Sequence, residues 1–246
     1  MQLLRSLAYP IALAWLTFWY SSQVILVSLF SKDPKRVDRT YRRVVQAWAR
    51  KQLAIANVKV RTVGVEKIPQ DRPVVFVSNH QSWIDIISLV HVTPGNMRFV
   101  SKKELAKVPV LGRAMRASGT VFIDRQNRQR AFSAYEEAAA TIRSGISAVV
   151  FVEGTRSRTG ELQPFKKGPF VLAIAAQVEV VPVYCAGTFG ILPKGTIFIR
   201  PRPVTLFYGD PIPTAGLGYE DREQLLAEAR RVIVEMRDRA AQEHLL

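Results

Sequence analysis

The chain has 246 residues, of which 48% are hydrophobic and 22% are charged. This length fits one catalytic domain plus an attachment segment, and the charged share excludes a body that lies wholly inside a membrane. The single cysteine, Cys185, excludes an internal disulfide and is expected to be a buried, inert thiol. No Cys/His cluster has metal-ligand spacing, so we expect no metal site.

The net charge of +15 is concentrated in two blocks. Residues 32–72 hold 12 Lys/Arg and 4 Asp/Glu, a net charge of +8. Residues 98–130 hold 9 Lys/Arg and 2 Asp/Glu, a net charge of +7, so the rest of the chain is neutral. A basic surface binds nucleic acid, anionic lipid or an acidic substrate. The apolar segment before the first block favours lipid, and since no nucleic-acid reader motif is recognisable we expect no nucleic-acid partner.

The first predicted element is the uncharged run of residues 7–30. As a helix it would be about 36 Å long, against a hydrocarbon core of about 30 Å. Its aromatic residues and Ser21, Ser22 and Gln23 cluster near the middle, although aromatic side chains prefer the membrane interface. The run therefore fits either a full span or a helix that enters one leaflet. A cleaved signal peptide fits less well, because no cleavage site follows a short apolar core.

Residues 35–56 predict a second helix, with Val37, Tyr41, Val44 and Trp48 at helical spacing and Lys/Arg on the other faces. A basic amphipathic helix beside a membrane segment is typical of contact with anionic lipid. The alternative is a helix that faces the core and exposes a solvated basic side. We assign residues 1–56 to a membrane-associating two-helix motif and residues 57–246 to an α/β domain.

The remaining chain alternates strand-like and helical segments. Apolar strand-like runs cover residues 58–65, 74–78, 97–101, 120–123, 148–152, 178–184, 197–200 and 204–208. Helical patterns cover residues 83–92, 130–143, 170–177 and 221–242. Such alternation predicts an α/β fold with a mixed, mainly parallel sheet flanked by helices, in which ligands gather at the carboxyl ends of strands.

The first motif, residues 78–85, reads Ser-Asn-His-Gln-Ser-Trp-Ile-Asp and follows an apolar strand. His80 falls at the turn into a helix and Asp85 in the first helical turn. A carboxylate there can hold one ring nitrogen of His80, so that the other accepts a proton. The alternative is a helix cap formed by Ser82 and Asp85, with His80 as a plain turn residue. Because no nucleophilic side chain accompanies the pair, the motif favours direct transfer from a donor to an activated hydroxyl.

Two further strands end in charged residues. Glu153-Gly154-Thr155-Arg156 follows the fifth run, where glycine permits a tight turn and the planar guanidinium suits a phosphate. Residues 119–125 end in Asp124 and Arg125, a second phosphate candidate. Each segment could instead be a surface loop with an internal ion pair. A fourth segment, residues 180–184, carries no chemistry of its own and predicts an apolar wall.

These four segments, in this order, resemble the glycerolipid acyltransferase family, and within it the bacterial 1-acylglycerol-3-phosphate acyltransferases. The family's N-H-x4-D motif matches Asn79, His80 and Asp85, and its F-I-D-R motif matches residues 122–125. Its E-G-T-R motif matches residues 153–156, and its V-P-V segment matches residues 181–183. The match spans residues 73–200, and none of the motif residues departs from the pattern.

The resemblance implies transfer of a fatty acyl group from acyl-CoA or acyl-carrier protein to the sn-2 hydroxyl of lysophosphatidic acid, giving phosphatidic acid for phospholipid biosynthesis. It implies that His80 is the general base and that Asp85 supports it. Lys102 or Lys103 would stabilise the thioester oxyanion. The residues expected to bind the phosphate are Arg125, Glu153, Gly154, Thr155 and Arg156.

The resemblance further implies no cofactor besides the acyl donor, and attachment to the membrane bilayer through an N-terminal motif that enters one leaflet. The expected location is the cytoplasmic face of the inner membrane. Another lysolipid or glycerol-3-phosphate remains an alternative acceptor. Two other classes stay open: a lipid-binding adaptor without chemistry, and a lipid esterase, which would need a nucleophile near His80 although no G-x-S-x-G elbow is present.

Overall fold

The structure, a computed structural model, describes residues 2–31, 33–123 and 128–246. The α-helices are α1 Gln2–Phe30, α2 Pro34–Ala56, α3 Trp83–Val92, α4 Leu111–Ala117, α5 Arg128–Arg143, α6 Gly168–Ala176 and α7 Arg222–Gln242. The strands are β1 Val60–Val63, β2 Val75–Ser78, β3 Met97–Phe99, β4 Ser101–Lys102, β5 Phe122–Ile123, β6 Ser147–Phe151, β7 Val180–Ala186 and β8 Val204–Tyr208.

The main sheet has the strand order β1-β8-β7-β2-β6-β3, and β4 pairs separately with β5. All neighbours in the main sheet are parallel except β7 and β8, which are antiparallel. Strand β2 therefore lies inside the sheet, between β7 and β6. Its residues are buried on both faces, as expected for a central parallel strand covered by helices.

Two apolar cores flank the sheet. Helices α5, α6 and α7 cover one face, where Val75 and Val77 of β2 contribute. Helices α1, α2 and α3 cover the other face, where Phe76 contributes. The alternation along β2 follows from the pleat, which directs successive side chains to opposite faces. The N-terminal helices are thus packed on the α/β body.

Helices α1 and α2 form a hairpin with a short connection. Helix α2 begins where Asp33 accepts a 2.9 Å hydrogen bond from the Lys35 amide, with Pro34 in the first turn, and ends at Asn57 with a φ of 54°. One face of α2 packs against α1 and α3. Its other faces expose the basic residues Lys35, Arg36, Arg39, Arg42, Arg43 and Arg50. The apolar face of α2 is therefore a core face, and its basic faces are free for solvent or lipid.

Large apolar side chains are exposed on the outward face of α1 from Leu7 to Phe30. Residues Ser6–Phe30 have the length and composition of a membrane-crossing helix, with a mean hydropathy of 1.4. Eight large side chains on α1 are 50–86% exposed: Leu7, Ile11, Trp15, Phe18, Trp19, Leu26, Leu29 and Phe30. An exposed apolar surface of this extent is rare on proteins that contact only water, so this apolar face of α1 is compatible with membrane anchoring.

A buried polar cluster fastens α2 to the sheet edge. The Arg98 guanidinium, on β3, is ion-paired with Asp38 and lies 3.9 Å from the centre of the Tyr41 ring, both on α2. Arg98 also donates to the Asn96 side chain at 2.7 Å and to the carbonyl of Ser118, which follows α4. Because Arg98 is buried, these partners offset the cost of removing its charge from water. The cluster fixes α2 relative to the main sheet.

The predicted α/β class, with a mainly parallel sheet and an N-terminal apolar helix, is confirmed. The predicted run 97–101 divides into β3 and β4, and α4 had no counterpart in the sequence prediction. The strand predicted at residues 197–200 is wrong. There the amide of Ile199 donates to the Ser6 hydroxyl at 3.1 Å, and Pro201 and Pro203 cannot donate to a ladder.

Candidate active site

His80 lies just beyond the carboxyl end of β2, in the middle of the sheet. Strand β2 ends at Ser78, and α3 begins at Trp83 with Ser82 as its N-cap. Open α/β sheets bind their ligands at the carboxyl ends of the central strands. The fold therefore places His80 where the first motif predicts chemistry.

One oxygen of Asp85 organises this turn. Asp85 Oδ2 lies 2.8 Å from His80 Nδ1 and accepts the amides of Gln81 and Ser82 at 2.7 and 2.8 Å. The same carboxylate thus completes a capping box for α3 and contacts the imidazole, so the predicted cap and the predicted His80–Asp85 contact are both present. Because an ionised carboxylate only accepts hydrogen bonds, this contact favours the neutral tautomer with the proton on Nδ1 and the lone pair on Nε2.

The His80 ring is shielded on one side. It stacks on Phe151 with 3.8 Å between ring centres and 10° between planes, and the side chain is only 13% exposed. Phe151 is the last residue of β6, the strand next to β2. The stack and the Asp85 bond together restrict the imidazole to one orientation.

The E-G-T-R segment holds the backbone of His80. Glu153 Oε1 accepts the His80 amide at 2.8 Å, and the Ser157 amide donates to the His80 carbonyl at 2.7 Å. Glu153 Oε2 accepts the amide and side-chain nitrogens of Gln163 at 3.2 and 2.9 Å. Burial raises the pKa of the Glu153 carboxyl, and these hydrogen bonds offset part of the rise. Both Glu153 oxygens thus accept hydrogen bonds from protein donors, which favours a positioning role, and the predicted phosphate-binding role stays a prediction.

Asn79 fixes the turn from the other side. Its side-chain oxygen accepts the Cys185 amide at 2.7 Å, and its side-chain nitrogen donates to the Cys185 carbonyl at 3.2 Å. This pair of bonds ties the motif to β7. Cys185 itself is buried, as predicted, and burial together with the nearby Asp85 carboxylate raises the pKa of its thiol.

The rest of the E-G-T-R segment borders a cavity that also includes His80. Gly154, Thr155 and Arg156 line this cavity. Gly154 has a φ of +75°, a conformation that a side chain would strain. The glycine thus lets the chain turn sharply after Glu153 while Arg156 remains on the cavity wall.

Lys194 is a cavity residue that the sequence analysis missed. Its ammonium donates to the Thr155 hydroxyl at 3.0 Å, and the loop that carries it is tied to the N-cap of α3. There Ser82 Oγ donates to the Leu192 carbonyl at 2.8 Å, and Pro193 forms a bridge with Ser82. The available signal was that Lys194 is the single charged residue between Cys185 and Ile199, in a loop that follows a buried strand.

The other predicted residues are distributed as follows. Lys102 lines the cavity, whereas Lys103 is not among the described residues that line it. Arg125 and its neighbour Asp124 lie outside the described residues. The structure therefore brings together His80, Asp85, Arg156 and Lys102, adds Lys194, and leaves the placement of Arg125 a prediction.

The cavity has a volume of about 580 Å³, within the usual range of ligand sites. Its walls are mainly apolar and come from the N-terminal helices as well as from the α/β body. The apolar and aromatic lining residues are Tyr20, Val24, Tyr41, Val44, Val45, Trp48, Trp83, Ile86, Val90, Phe99, Val100, Leu105, Leu111, Ala114, Met115 and Phe151. Among the described lining residues, three are cationic, Lys102, Arg156 and Lys194, and none is acidic.

These features suit an anionic, amphipathic ligand. The His80 imidazole shares one cavity with three cations and with mainly apolar walls. No group of three or more His, Cys, Asp or Glu side chains suited to a metal ion occurs in the described ranges. The α/β fold and this cavity are those of an enzyme suited to a lipid-like ligand.

Comparison with known proteins gives the family. Residues 59–186 match the model of the acyltransferase family. The chain is 34% identical to human 1-acyl-sn-glycerol-3-phosphate acyltransferase alpha, over 71% of this chain and 62% of that protein. It is 33% identical to the 1-acyl-sn-glycerol-3-phosphate acyltransferase of Saccharomyces cerevisiae, over 80% of this chain and 67% of that protein. The protein belongs to the acyltransferase family.

A solved structure resembles the whole chain. The crystal structure of the 1-acyl-sn-glycerophosphate acyltransferase PlsC from Thermotoga maritima superimposes with a TM-score of 0.79 at 28% identity, covering 96% of each chain. The match therefore includes the N-terminal helices as well as the α/β body. By contrast, the chain spans 62% of the human relative's length.

Proposed function

We propose that this acyltransferase moves a fatty acyl group from a thioester to the sn-2 hydroxyl of 1-acylglycerol-3-phosphate, giving phosphatidic acid. The observation that carries the proposal is the His80–Asp85 pair beside an apolar cavity with three cations and no acid among its described lining residues. A base, a cationic site and an apolar chamber match the hydroxyl, phosphate and acyl chain of a lysophosphatidic acid.

In the proposed mechanism, Nε2 of His80 takes the proton of the acceptor hydroxyl as its oxygen attacks the thioester carbonyl. The tetrahedral intermediate then collapses, the carbon–sulfur bond breaks, and the thiolate receives the proton from the imidazolium. Asp85 keeps the ring oriented and stabilises its positive charge. General-base assistance of this kind contributes about 10²–10⁴-fold in rate. In this proposal Lys102, which lines the cavity, stabilises the oxyanion that develops on the carbonyl.

Arg156 and Lys194 bind the acceptor phosphate in this proposal. A guanidinium offers two parallel donors to a phosphate, and the Lys194 ammonium adds a point charge. Arg125 joins this set as a proposal from the resemblance alone. The acceptor is proposed to be lysophosphatidic acid because cations without a neighbouring acid favour a phosphate monoester over a zwitterionic head group.

The apolar cavity binds an acyl chain. Its walls include residues of α1, α2 and α4, so the N-terminal helices form part of the substrate site. The donor is acyl-CoA or acyl-carrier protein, both of which are acidic and suit the basic block of residues 98–130.

The membrane attachment is proposed to be confined to one leaflet. Because α2 packs against α1, a full span by α1 would carry the exposed Lys and Arg side chains of α2 into the hydrocarbon. Each such charge costs about 2.5–3.5 kcal/mol at a helix centre. A helix that lies in the interface buries its apolar face without this cost. We place the enzyme on the cytoplasmic face of the inner membrane, where soluble thioester donors reach it.

The proposal is tested by measuring thiol release from long-chain acyl-CoA with three acceptors: lysophosphatidic acid, glycerol-3-phosphate and lysophosphatidylcholine. Release that requires lysophosphatidic acid, and that Arg156→Ala reduces, supports the reaction and its phosphate site. Thiol release that requires a different acceptor would support the same mechanism with that acceptor as the substrate. Acyl-carrier protein is the second donor to be assayed, and failure of both donors with every acceptor contradicts the proposed function.

A further inference from the structure

The connection between β7 and β8 carries a second exposed apolar site, in addition to the one on α1. Ile197 and Phe198 are adjacent in this loop, and 52% and 53% of their surfaces are exposed. The next residue, Ile199, is fully buried in the core beneath α1 and α2. The loop is therefore anchored by Ile199 while the two side chains before it face outward.

The anchoring bonds show that this tip has a defined conformation. The Phe198 amide donates to the Thr196 hydroxyl at 3.0 Å, and the Arg200 amide donates to the Ile191 carbonyl at 3.0 Å. The backbone on both sides of the tip is thus hydrogen-bonded within the loop. Two large apolar side chains held in the open by a fixed backbone indicate a contact surface.

The position of the loop relative to α1 indicates the partner. The Ile199 amide donates to Ser6 Oγ at 3.1 Å, so the tip lies beside the first turns of α1. Leu7, the residue after Ser6, is exposed and begins the apolar face of α1. The tip therefore lies near the start of the exposed apolar face of α1.

The charge of the loop agrees with a lipid partner. Lys194, Arg200 and Arg202 flank the tip, and the sequence from Gly187 to Gly209 contains no Asp or Glu. Apolar side chains surrounded by cations are the pattern of a segment that inserts at the interface of an anionic membrane.

We propose that Ile197 and Phe198 enter the interface of an anionic phospholipid bilayer and form a second membrane contact beside α1. The contact fixes the rotation of the enzyme about the axis of α1, which a single helix leaves undetermined. Lys194, on the same loop, lines the cavity, so the contact also holds the cationic part of the cavity at the level of the lipid head groups. This last consequence rests on the proposed function; the insertion itself does not.

Insertion is measured directly by an environment-sensitive fluorophore at position 198. Because Cys185 is buried, a maleimide nitrobenzoxadiazole dye labels the full-length Phe198→Cys protein at the introduced thiol. With vesicles of phosphatidylglycerol and phosphatidylethanolamine, we expect a blue shift, increased intensity, and quenching by lipids that are spin-labelled near the glycerol backbone. The matched control is Tyr219→Cys, an exposed aromatic site before α7, on the opposite face of the sheet, where the dye should remain water-like.

Two outcomes of this experiment overturn the proposal. One is a dye at position 198 that remains water-like while sedimentation shows the protein bound to vesicles through α1. The other is a blue shift that needs no vesicles and grows with protein concentration, which would mean that a second copy of the chain covers the tip.

A second variant separates the loop contact from catalysis. In Ile197→Ser/Phe198→Ser, we expect vesicle binding about tenfold weaker, because about half of each apolar side chain no longer enters the bilayer. Turnover of long-chain lysophosphatidic acid in vesicles should fall, whereas turnover of a short-chain, water-soluble lysophosphatidic acid should be unchanged. Equal loss on both substrates overturns the proposal, because the tip would then shape the cavity. If the unaltered enzyme acylates neither substrate, the proposed function is wrong. The dye measurement would still show whether the tip inserts into the bilayer.

Discussion

The carboxylate of Glu153 accepts the backbone amide of His80 at 2.8 Å, which joins the ends of two neighbouring strands. The Ser157 amide bonds the His80 carbonyl, so both backbone polar groups of His80 are held by the loop that Glu153 begins. Meanwhile Asp85 holds the His80 side chain. The position of His80 therefore depends on Glu153, which lies 73 positions away in the sequence and belongs to another motif.

We expect Glu153→Gln to lower kcat by about 10²-fold, because a misplacement of about 1 Å at a reacting group has that effect. In the variant, the side-chain NH2 group would face N–H groups of His80 or Gln163 that donate to Glu153. Leaving such buried donors without an acceptor costs about 1–3 kcal/mol of stability. The KM for lysophosphatidic acid should change little, since Glu153 does not contact the phosphate in this account. Steady-state kinetics measure both constants, with the exposed Glu161→Gln as control. A rise in KM at constant kcat would instead show that Glu153 contributes to binding the phosphate.

Lys194→Ala tests the cation that the structure adds to the site. Loss of one charge-assisted contact to a partly solvated phosphate should raise the KM for lysophosphatidic acid about tenfold, with a smaller effect on kcat. The comparison is with Lys59→Ala, which removes an exposed lysine elsewhere. Identical kinetics for the two variants would show that Lys194 serves only to bond Thr155.

Ala114→Phe tests whether the cavity binds the acyl chain. Ala114, on α4, is buried and lines the cavity, so a phenyl ring there would occupy space that a long chain needs. We expect the preference among acyl chains to move toward shorter ones, measured as ratios of kcat/KM. Ala54→Phe, at an exposed position of α2, should leave the ratios unchanged. A uniform loss for all chain lengths would contradict this use of the cavity.

Alkylation of Cys185 tests the burial of the only thiol. Burial raises the pKa of this group, so at any pH a smaller fraction is thiolate than in a free cysteine, and the reactive fraction appears only at higher pH. We expect iodoacetamide at pH 8 to modify the unfolded chain in guanidinium rapidly and the native enzyme very slowly, as followed by mass spectrometry. Rapid modification of the native enzyme with loss of activity would indicate that Cys185 is accessible. It would favour a mechanism in which this thiol is the nucleophile.

The sequence predicted those parts of the site that depend on short-range patterns. The apolar strand before His80 and the helix after it were recognisable, and the spacing from His80 to Asp85 placed both on one turn. The role of Glu153 was not predictable, because it depends on β2 and β6 being neighbours, which strand patterns do not reveal. Lys194 was missed for the same reason: its loop follows β7, and only the strand order brings that loop to His80. Residues 197–200 form no strand although they are mainly apolar, because Ile199 is buried as an anchor while Ile197 and Phe198 are exposed. An apolar run therefore does not by itself predict pairing in a sheet.

The central claim is that His80 is the general base, and single-turnover formation of phosphatidic acid by His80→Ala tests it most directly. His91→Ala, at an exposed position near the end of α3, serves as the matched control. The account predicts that His80→Ala loses about 10²–10⁴-fold in rate while its circular dichroism and vesicle binding match the unaltered enzyme, and that His91→Ala retains its rate. An undiminished single-turnover rate in folded His80→Ala protein would contradict the mechanism.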